Sequence, residues 1–226
     1  ARSIALNEDL VAAIIVVAIM LLIGFPVHEF AHALAAFRLG DGTARLFGRL
    51  TLDPRAHFDP VGGTLLAVTF LSSAASGGGF GFGWAKPTPV NPMNLAYGRW
   101  GEAIVAAAGP LSNLVLAAAA AIPMRYLLAN PDLAFEIPLL VDVLAYFILI
   151  NLVLMIFNFV PIPPLDGSKV LFAFLDRRTE SQIRPFLEQY GFLILIGLLV
   201  FPFGDPIAFR VISPILDGFF GLLVGV

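Results

Sequence analysis

Cysteine is absent from this sequence of 226 residues, histidine occurs three times, and charged residues make up only 13% of the chain. Without cysteine there can be neither a disulfide framework nor a thiolate zinc site. Soluble domains carry about 25% charged residues, so the shortage of charge excludes an ordinary soluble domain. No basic cluster with interleaved aromatic residues is present, and we therefore expect no nucleic-acid partner.

Apolar residues are abundant instead. They make up 59% of the chain, and the mean hydropathy is +0.91. These values are typical of an integral membrane protein, in which a spanning helix needs about 20 apolar residues. We expect an all-α polytopic protein in the lipid bilayer, folded as a single domain over residues 1–226, with five to six apolar segments. The segments are predicted at residues 10–37, 61–75, 100–128, 137–159, 186–201 and 207–226.

One short stretch departs from the helical pattern. Between the first two apolar segments, Leu46, Leu50 and Leu52 alternate with polar or aromatic residues. A period of two residues predicts β-structure, so we expect one or two short strands at residues 44–53 on the membrane surface. The glycine- and proline-rich residues 77–92 are typical of a loop, which could be a mobile lid or a plain connector.

The motif His28-Glu29-Phe30-Ala31-His32 lies within the first apolar segment. Residues i and i+4 of a helix lie on one face about one turn apart, so both imidazoles can bind one Zn²⁺ while Glu29 stays free as a base. Inside a bilayer these polar side chains would be costly without a partner, and a metal ion is the obvious one. The alternative is a membrane helix that carries two histidines by chance.

A second polar group of residues ends the fourth apolar segment. It runs from Asn158 to Gly167 and contains three prolines, which cannot continue a helix, followed by Asp166. A broken backbone at membrane depth is tolerated only where it is buried in protein or lines a wet cavity. A surface turn would have the same composition, but a zinc site with two histidines needs a third ligand, commonly a carboxylate. Asp166 is the candidate for that ligand.

These motifs, in this order, resemble those of the site-2 proteases, which are intramembrane zinc metalloproteases. The stretch Gly109-Pro110-Leu111-Ser112-Asn113 is similar to the Gly-Pro-x-x-Asn element of that family. The resemblance covers residues 10–175, the expected catalytic core. Residues 186–226 are left as C-terminal membrane segments.

The resemblance implies a function and a site. His28, His32 and Asp166 are expected to bind Zn²⁺, and Glu29 is expected to be the catalytic acid and base. The expected substrate is a transmembrane segment of a membrane-anchored protein, cut within or near the bilayer in regulated intramembrane proteolysis. The rival hypothesis is a non-proteolytic membrane protein, either a zinc transporter or an inactive scaffold with the same fold. A transporter usually shows repeated halves, which this sequence lacks.

The expected ligands also restrict the topology. His32 lies near the end of the first apolar segment and Asp166 follows the fourth, so an odd number of crossings must lie between these two segments. Two segments intervene, and one of them must therefore fail to cross. We expect residues 61–75, the shorter of the two, to be re-entrant, and residues 100–128 to be the true span.

Basic residues then give the orientation. With this topology ten of them fall on the side of the zinc site and three on the other. By the positive-inside rule the zinc site lies nearer the cytoplasm, and we expect the membrane to be the inner membrane of a prokaryotic cell.

Three further polar residues are candidates for a role in the reaction. Asn158 and Asn113 could hold the oxyanion or orient the substrate, although an interhelical hydrogen bond is an equally good interpretation of each. His57 could be a gate, a proton relay or a substitute ligand, but a surface histidine just before a membrane segment is the preferred interpretation. If Asp166 is not a ligand, Glu102, Asp59 and His57 are the next candidates.

Overall fold

The computed structural model describes residues 8–75, 83–200 and 207–225, and within these ranges the regular structure is entirely helical. A π-helical turn covers Met20–Gly24 and a 3₁₀ turn covers Pro92–Asn94. The α-helices, numbered in chain order, are α1 (Glu8–Ile19), α2 (Phe25–Arg38), α3 (Thr43–Leu46), α4 (Pro54–His57), α5 (Pro60–Ala75), α6 (Arg99–Leu128), α7 (Pro131–Glu136), α8 (Pro138–Asn158), α9 (Asp166–Phe174), α10 (Arg177–Val200) and α11 (Ile207–Val224).

Helices α1 and α2 are joined by the π-helical turn into one long apolar helix. Gly24 lies in this turn, where a Cβ atom would collide with the side chain of Met20. Pro26 is the second residue after the π-helical turn, and because proline has no N–H the helical hydrogen-bond pattern is interrupted at this point. A π turn places one extra residue in the helix and so rotates the residues that follow it, which here include the histidine motif.

Helices α6 and α8 form the centre of the molecule. Alanines of α6, among them Ala117 and Ala121, pack with Ile148 and Leu152 of α8, and α11 joins the same cluster through Leu216. Small side chains on α6 allow close approach of the neighbouring helices, as is usual where lipid offers no hydrophobic drive for helix association. This close packing places α6 directly beside the histidine motif.

Three helical stretches of the described chain are long and apolar enough to cross a membrane: Leu10–Arg38, Arg99–Leu128 and Pro138–Asn158. The backbone N–H of Ala96 donates to Leu39 O at 2.8 Å, so α6 begins beside the end of α2. Helix α8 then runs back, and its C-terminal end lies at the same end of the molecule. One candidate span, Arg99–Leu128, thus lies between the candidate spans that correspond to the first and fourth predicted segments, and the re-entrant assignment of residues 61–75 stays a prediction.

Helix α5 corresponds to the predicted re-entrant segment. Its 16 residues span only about 24 Å at 1.5 Å per residue, which is less than the thickness of a bilayer core. After the undescribed residues 76–82, Gly83 packs against Gly62 and Leu66 in the first turns of α5. The N–H of Lys86 donates to His57 O, just before α5, at 2.8 Å. The chain thus returns to the end from which α5 started, as a re-entrant segment requires.

The prediction of strands at residues 44–53 is wrong. This part of the chain forms the short helix α3 and a series of turns, with Gly48 in the left-handed region at a φ of 67°. Leu46 and Leu52 are 87% and 54% exposed, so the alternating pattern buries no common face. Arg49, by contrast, is buried and donates to the backbone oxygen of Ala56. An alternating pattern forms a strand only where a second strand can pair with it, and the part of the chain that the structure describes contains no strand.

The two C-terminal apolar segments correspond to α10 and α11. Helix α10 begins in a charged stretch at Arg177, and the apolar part of α11 that is described, Ile212–Val224, is shorter than a full span. The predicted number of five to six segments therefore corresponds to three candidate spans in the described residues. Residues 201–206, at the end of the fifth predicted segment, lie outside the described residues.

Candidate metal centre

The two histidines of the motif lie one turn apart on the inner face of α2. Their ring centroids are 4.7 Å apart, and the two Nε2 atoms approach to 3.1 Å. Both side chains are largely buried, with 12% and 10% of the side-chain surface of His28 and His32 exposed. The spacing of four residues on a helix therefore produces the convergence that the sequence predicted.

Asp166 reaches this pair from the other side. The chain breaks after α8 at Pro161, Pro163 and Pro164, and Asp166 is the first residue of the helix that follows. Its Oδ2 lies 3.4 Å from His28 Nε2 and 3.2 Å from His32 Nε2.

Gly167 permits this approach. A Cβ atom at Gly167 would collide with the carbonyl oxygens of Phe159 and Val160, so only glycine lets the start of α9 fold back on the end of α8. Lys169 follows on the same helix, and its Nζ lies 3.7 Å from Asp166 Oδ1. The carboxylate is thus held between the two imidazoles on one side and an ammonium group on the other.

The other nitrogen of each imidazole has a partner that defines its protonation. His32 Nδ1 lies 2.7 Å from the carbonyl oxygen of Val105, which can only accept, so Nδ1 carries the proton. His28 Nδ1 lies 2.6 Å from Asn113 Oδ1. The amide nitrogen of Asn113 donates to Asn151 Oδ1 at 2.9 Å, which fixes the amide so that its oxygen faces His28. In both neutral rings the lone pair is therefore on Nε2.

Three electron-pair donors consequently point at one place. The two Nε2 atoms and the Asp166 carboxylate lie within 4.8 Å of one another, and with both rings neutral such a set of lone pairs is repulsive unless a proton or a metal ion lies among them. Two imidazoles and one carboxylate are the protein ligands of a common type of catalytic zinc site. Ring N–H groups that donate to a carbonyl and to an amide oxygen are the usual supports of metal-binding histidines. The residues present therefore fit Zn²⁺.

Helix α6 closes the site through Gly109. A Cβ atom at this position would collide with the His32 ring and would lie 2.6 Å from His28 Nε2. The backbone of α6 is thus in direct contact with the two imidazoles. The Gly-Pro-x-x-Asn element supplies both this contact and, one turn later, the amide of Asn113 that orients His28.

Glu29 follows His28 on α2 and is partly buried. Its Oε2 accepts a hydrogen bond from the backbone N–H of Thr88 at 2.8 Å. The hydroxyl of Thr88 donates to the backbone oxygen of Glu29 at 3.0 Å. Within the described residues, the carboxylate is not part of the group of side chains that could hold a metal, so it is free to act as a base.

The remaining candidates have other partners. Asn158 donates its amide N–H to Leu154 O of its own helix at 2.9 Å. Asp59 accepts from the first N–H groups of α5, and Glu102 lies 3.8 Å from Arg184. None of the alternative ligands belongs to the three-residue group among the residues described.

His57 is not the surface residue that the sequence suggested. It is only 1% exposed, because the turns of residues 47–56 and the chain at residue 86 cover it. Its Nε2 lies 2.8 Å from Thr51 O, and its Nδ1 has no hydrogen-bond partner among the residues that the structure describes. The histidine therefore belongs to the packing between these loops and, among the described residues, is not part of the group of three expected ligands.

The fold and the site together define a class: a helical membrane protein with a His-Glu-x-x-His metalloprotease centre. Residues 128–201 match the family model described as Peptidase family M50. "Putative zinc metalloprotease YwhC" of Bacillus subtilis (strain 168) is 36% identical over 189 residues, which cover 83% of this chain and 81% of that protein. The chain belongs to peptidase family M50, the site-2 protease family.

Mycobacterial relatives are also similar, over a smaller share of their length. "Putative zinc metalloprotease Rip2" of Mycolicibacterium smegmatis (strain ATCC 700084 / mc(2)155) is 33% identical over 77% of this chain and 62% of that protein. The protein of the same name from Mycobacterium tuberculosis (strain ATCC 25618 / H37Rv) is 32% identical over 80% of this chain and 65% of that protein. No solved structure gives a significant match.

Proposed function

We propose that this protein is a zinc-dependent intramembrane endopeptidase that cleaves transmembrane segments of membrane-anchored proteins. In this proposal His28, His32 and Asp166 bind one Zn²⁺, and Glu29 is the catalytic acid and base. The convergence of two Nε2 atoms and one carboxylate, with a glutamate on the same helix that is not part of this group, carries the proposal. Membership of family M50 supports it.

The reaction is hydrolysis of a peptide bond. Zn²⁺ supplies Lewis acidity at this point, which makes a scissile carbonyl more electrophilic and a water molecule more acidic. Glu29 takes a proton from the attacking water and passes it to the leaving amide nitrogen. The oxygen of water becomes part of the new carboxylate, the C–N bond breaks, and the second product leaves as an amine.

Two asparagines support the site in different ways. We assign Asn113 to the orientation of His28, because its oxygen faces the His28 ring and its nitrogen faces Asn151. Asn158 would have to release its intrahelical hydrogen bond before its amide could donate to an oxyanion. Of the two, Asn158 is therefore the one that we propose for contact with the substrate.

The orientation of the site follows from charge. In the topology expected from the sequence, ten of the thirteen basic residues fall on the side of His28 and Asp166, and by the positive-inside rule we propose that this side faces the cytoplasm. A substrate helix has its backbone hydrogen bonds satisfied inside the bilayer. It must therefore unwind near this side before the carbonyl is accessible.

Cleavage of a reporter transmembrane segment by the purified protein tests the proposal. We expect cleavage that a zinc chelator abolishes and that added Zn²⁺ restores. Glu29→Gln should keep zinc and lose cleavage, because the amide preserves the shape of the side chain but cannot accept the proton. A Glu29→Gln protein that cleaves would contradict the mechanism. Zinc binding without cleavage in the wild type would instead favour the inactive scaffold.

A further inference from the structure

The loop between α5 and α6 contacts the catalytic helix at Glu29. Thr88, which is 59 residues further along the chain, makes two hydrogen bonds to this one residue. Its backbone N–H binds the Glu29 carboxylate, and its hydroxyl binds the Glu29 carbonyl. The side chain and the backbone of Glu29 are therefore both hydrogen-bonded to Thr88.

The local sequence makes this part of the loop stiff. Thr88 lies between Pro87 and Pro89, and the residue before each proline is restricted to extended conformations. Prolines have no N–H, so the N–H of Thr88 is the one backbone donor of these three residues. The only donor of the stretch is the one that faces Glu29.

Both ends of the stretch are fixed. On one side the N–H of Lys86 donates to His57 O at 2.8 Å, and the buried Arg49 lies 3.4 Å from Lys86 O. On the other side the N–H of Asn91 donates to Asp41 Oδ2 at 2.7 Å. Residues 86–91, called the bracket below, are therefore held at both ends as well as at Thr88.

The side chain at position 41 must be a carboxylate rather than an amide, because the groups that contact its two oxygens are all hydrogen-bond donors. It is fully buried, and its oxygens accept from the backbone and hydroxyl of Thr43, the N–H of Asn91 and the side-chain amide of Asn94. An asparagine would place an NH₂ group against these N–H donors. Burial opposes ionisation of Asp41, but the hydrogen bonds from Thr43, Asn91 and Asn94 outweigh burial and hold its pKa below the usual value.

Asp41 also connects the bracket to the catalytic helix. Its own N–H donates to Ala36 O, in the last turn of α2, at 2.9 Å. Asp41 thus fixes the distance between the end of α2 and residue 91, and hence the register in which Thr88 meets Glu29. A shift of the loop by one residue would place a proline, which lacks the donor, opposite the carboxylate.

We propose that the bracket positions Glu29 for catalysis, with Thr88 as the positioning residue and Asp41 as its anchor. The proposal rests on the proposed endopeptidase function. The N–H of Thr88 holds Oε2 in place and leaves Oε1 for the proton of the attacking water. Alignment of this kind matters because a misplacement of about 1 Å can reduce a rate by about 100-fold.

Three substitutions of Thr88 separate the two hydrogen bonds. Thr88→Ser keeps both bonds and should keep the wild-type kcat. Thr88→Ala loses the hydroxyl bond, and kcat should fall by about two- to tenfold. Thr88→Pro loses both bonds in a conformation that is already extended, and kcat should fall by about 10- to 100-fold with KM little changed. Zinc content should equal that of the wild type in all three, because the bracket contacts none of the expected ligands.

Several results would overturn the proposal. A Thr88→Pro protein that cleaves at the wild-type rate would show that the N–H is not needed, and a faster one would show that the bracket blocks Glu29. Loss of zinc from a folded Thr88→Pro protein would place the effect on the metal instead. If Thr88→Pro does not fold, the pair Thr88→Ser and Thr88→Ala decides, and equal rates would contradict the proposal.

The anchor is tested with a matched pair of substitutions. Asp41→Asn should lower kcat by about tenfold without loss of zinc. The substitution removes an acceptor for the N–H of residue 91, so that Thr88 is no longer held opposite Glu29. Asp176→Asn is the control: Asp176 also accepts hydrogen bonds from nearby backbone N–H groups, at an exposed position before α10. An Asp41→Asn protein as active as Asp176→Asn would contradict the role of the anchor.

Hydrogen exchange tests the contact without any activity. The Thr88 amide should exchange slowly in the wild type and in Glu29→Gln, whose side-chain oxygen still accepts. In Glu29→Ala it should exchange about tenfold faster. Equal protection in all three proteins would overturn the contact. A wild type that cleaves no reporter would refute the endopeptidase function, whereas active Thr88 and Asp41 variants would refute the bracket.

Discussion

Gly109 is the residue at which the helix packing and the metal centre depend most directly on each other. The α6 backbone touches both imidazoles at this position, so the rings are confined by a main chain that cannot move away independently. The hydrogen bonds of His28 to Asn113 and of His32 to Val105 O come from the same helix. One helix thus sets the position of each ring and the nitrogen that carries its proton.

Gly109→Ala is predicted to weaken zinc binding by about 10- to 100-fold, the usual effect of disturbing the supports of a metal ligand. The added Cβ would collide with the His32 ring and crowd that of His28. Competition with a zinc-binding dye measures the affinity. Gly218→Ala in α11 is the matched control, because nothing lies within 4 Å of a Cβ there. Equal affinities of the two variants would contradict this account of Gly109.

For single residues, the sequence predicts the expected ligands better than it predicts the residues that hold the site in place. His28 and His32 follow from a local spacing of four residues, and Asp166 follows from a helix break that zinc chemistry explains. The contacts of Asn151, Thr88 and Asp41 depend on which distant segments meet in the fold. No local pattern encodes them, although the isolated N–H of the Pro-Thr-Pro sequence was a visible signal at Thr88.

Among the elements, α5 is expected to be re-entrant from an argument on length and parity, and its position in the membrane stays a prediction. The short segment could not cross if both parts of the metal site were to lie at one end, and in the structure the chain does return to the start of α5 at Gly83. The alternation at residues 44–53 was equally visible and predicted the wrong structure. It failed because a strand needs a partner, which a local pattern cannot reveal.

We predict that α5 does not cross the membrane, so that Met93, which follows it in the chain, lies on the same side as the metal site. Single cysteines at Met93, Ser181 and Asn130 are suitable probes, because all three positions are exposed and the chain has no cysteine of its own. We expect an impermeant thiol reagent to label positions 93 and 181 from the cytoplasm and position 130 from the outside. Labelling of position 93 from the side of position 130 would show that α5 crosses the membrane.

On the scale of the whole molecule, the metal site joins two parts of the chain that lie far apart in sequence. Helix α2 carries two of the expected ligands and the expected base, and the first residue of α9 is the third expected ligand. Helix α6 lies between them and packs against both. Separate clusters of buried apolar side chains, one around α6 and α8 and one around α1 and α5, make up much of the remaining core.

The central claim is that one Zn²⁺ is held between α2 and α9 by His28, His32 and Asp166. The most direct test is the zinc content and zinc affinity of the purified wild type and of Asp166→Ala, with Asp176→Ala as the control. We predict about one zinc per chain in the wild type and in the control, and a large loss of affinity in Asp166→Ala, since a site with three protein ligands loses one of them. An Asp166→Ala protein that binds zinc as tightly as the wild type would contradict the claim.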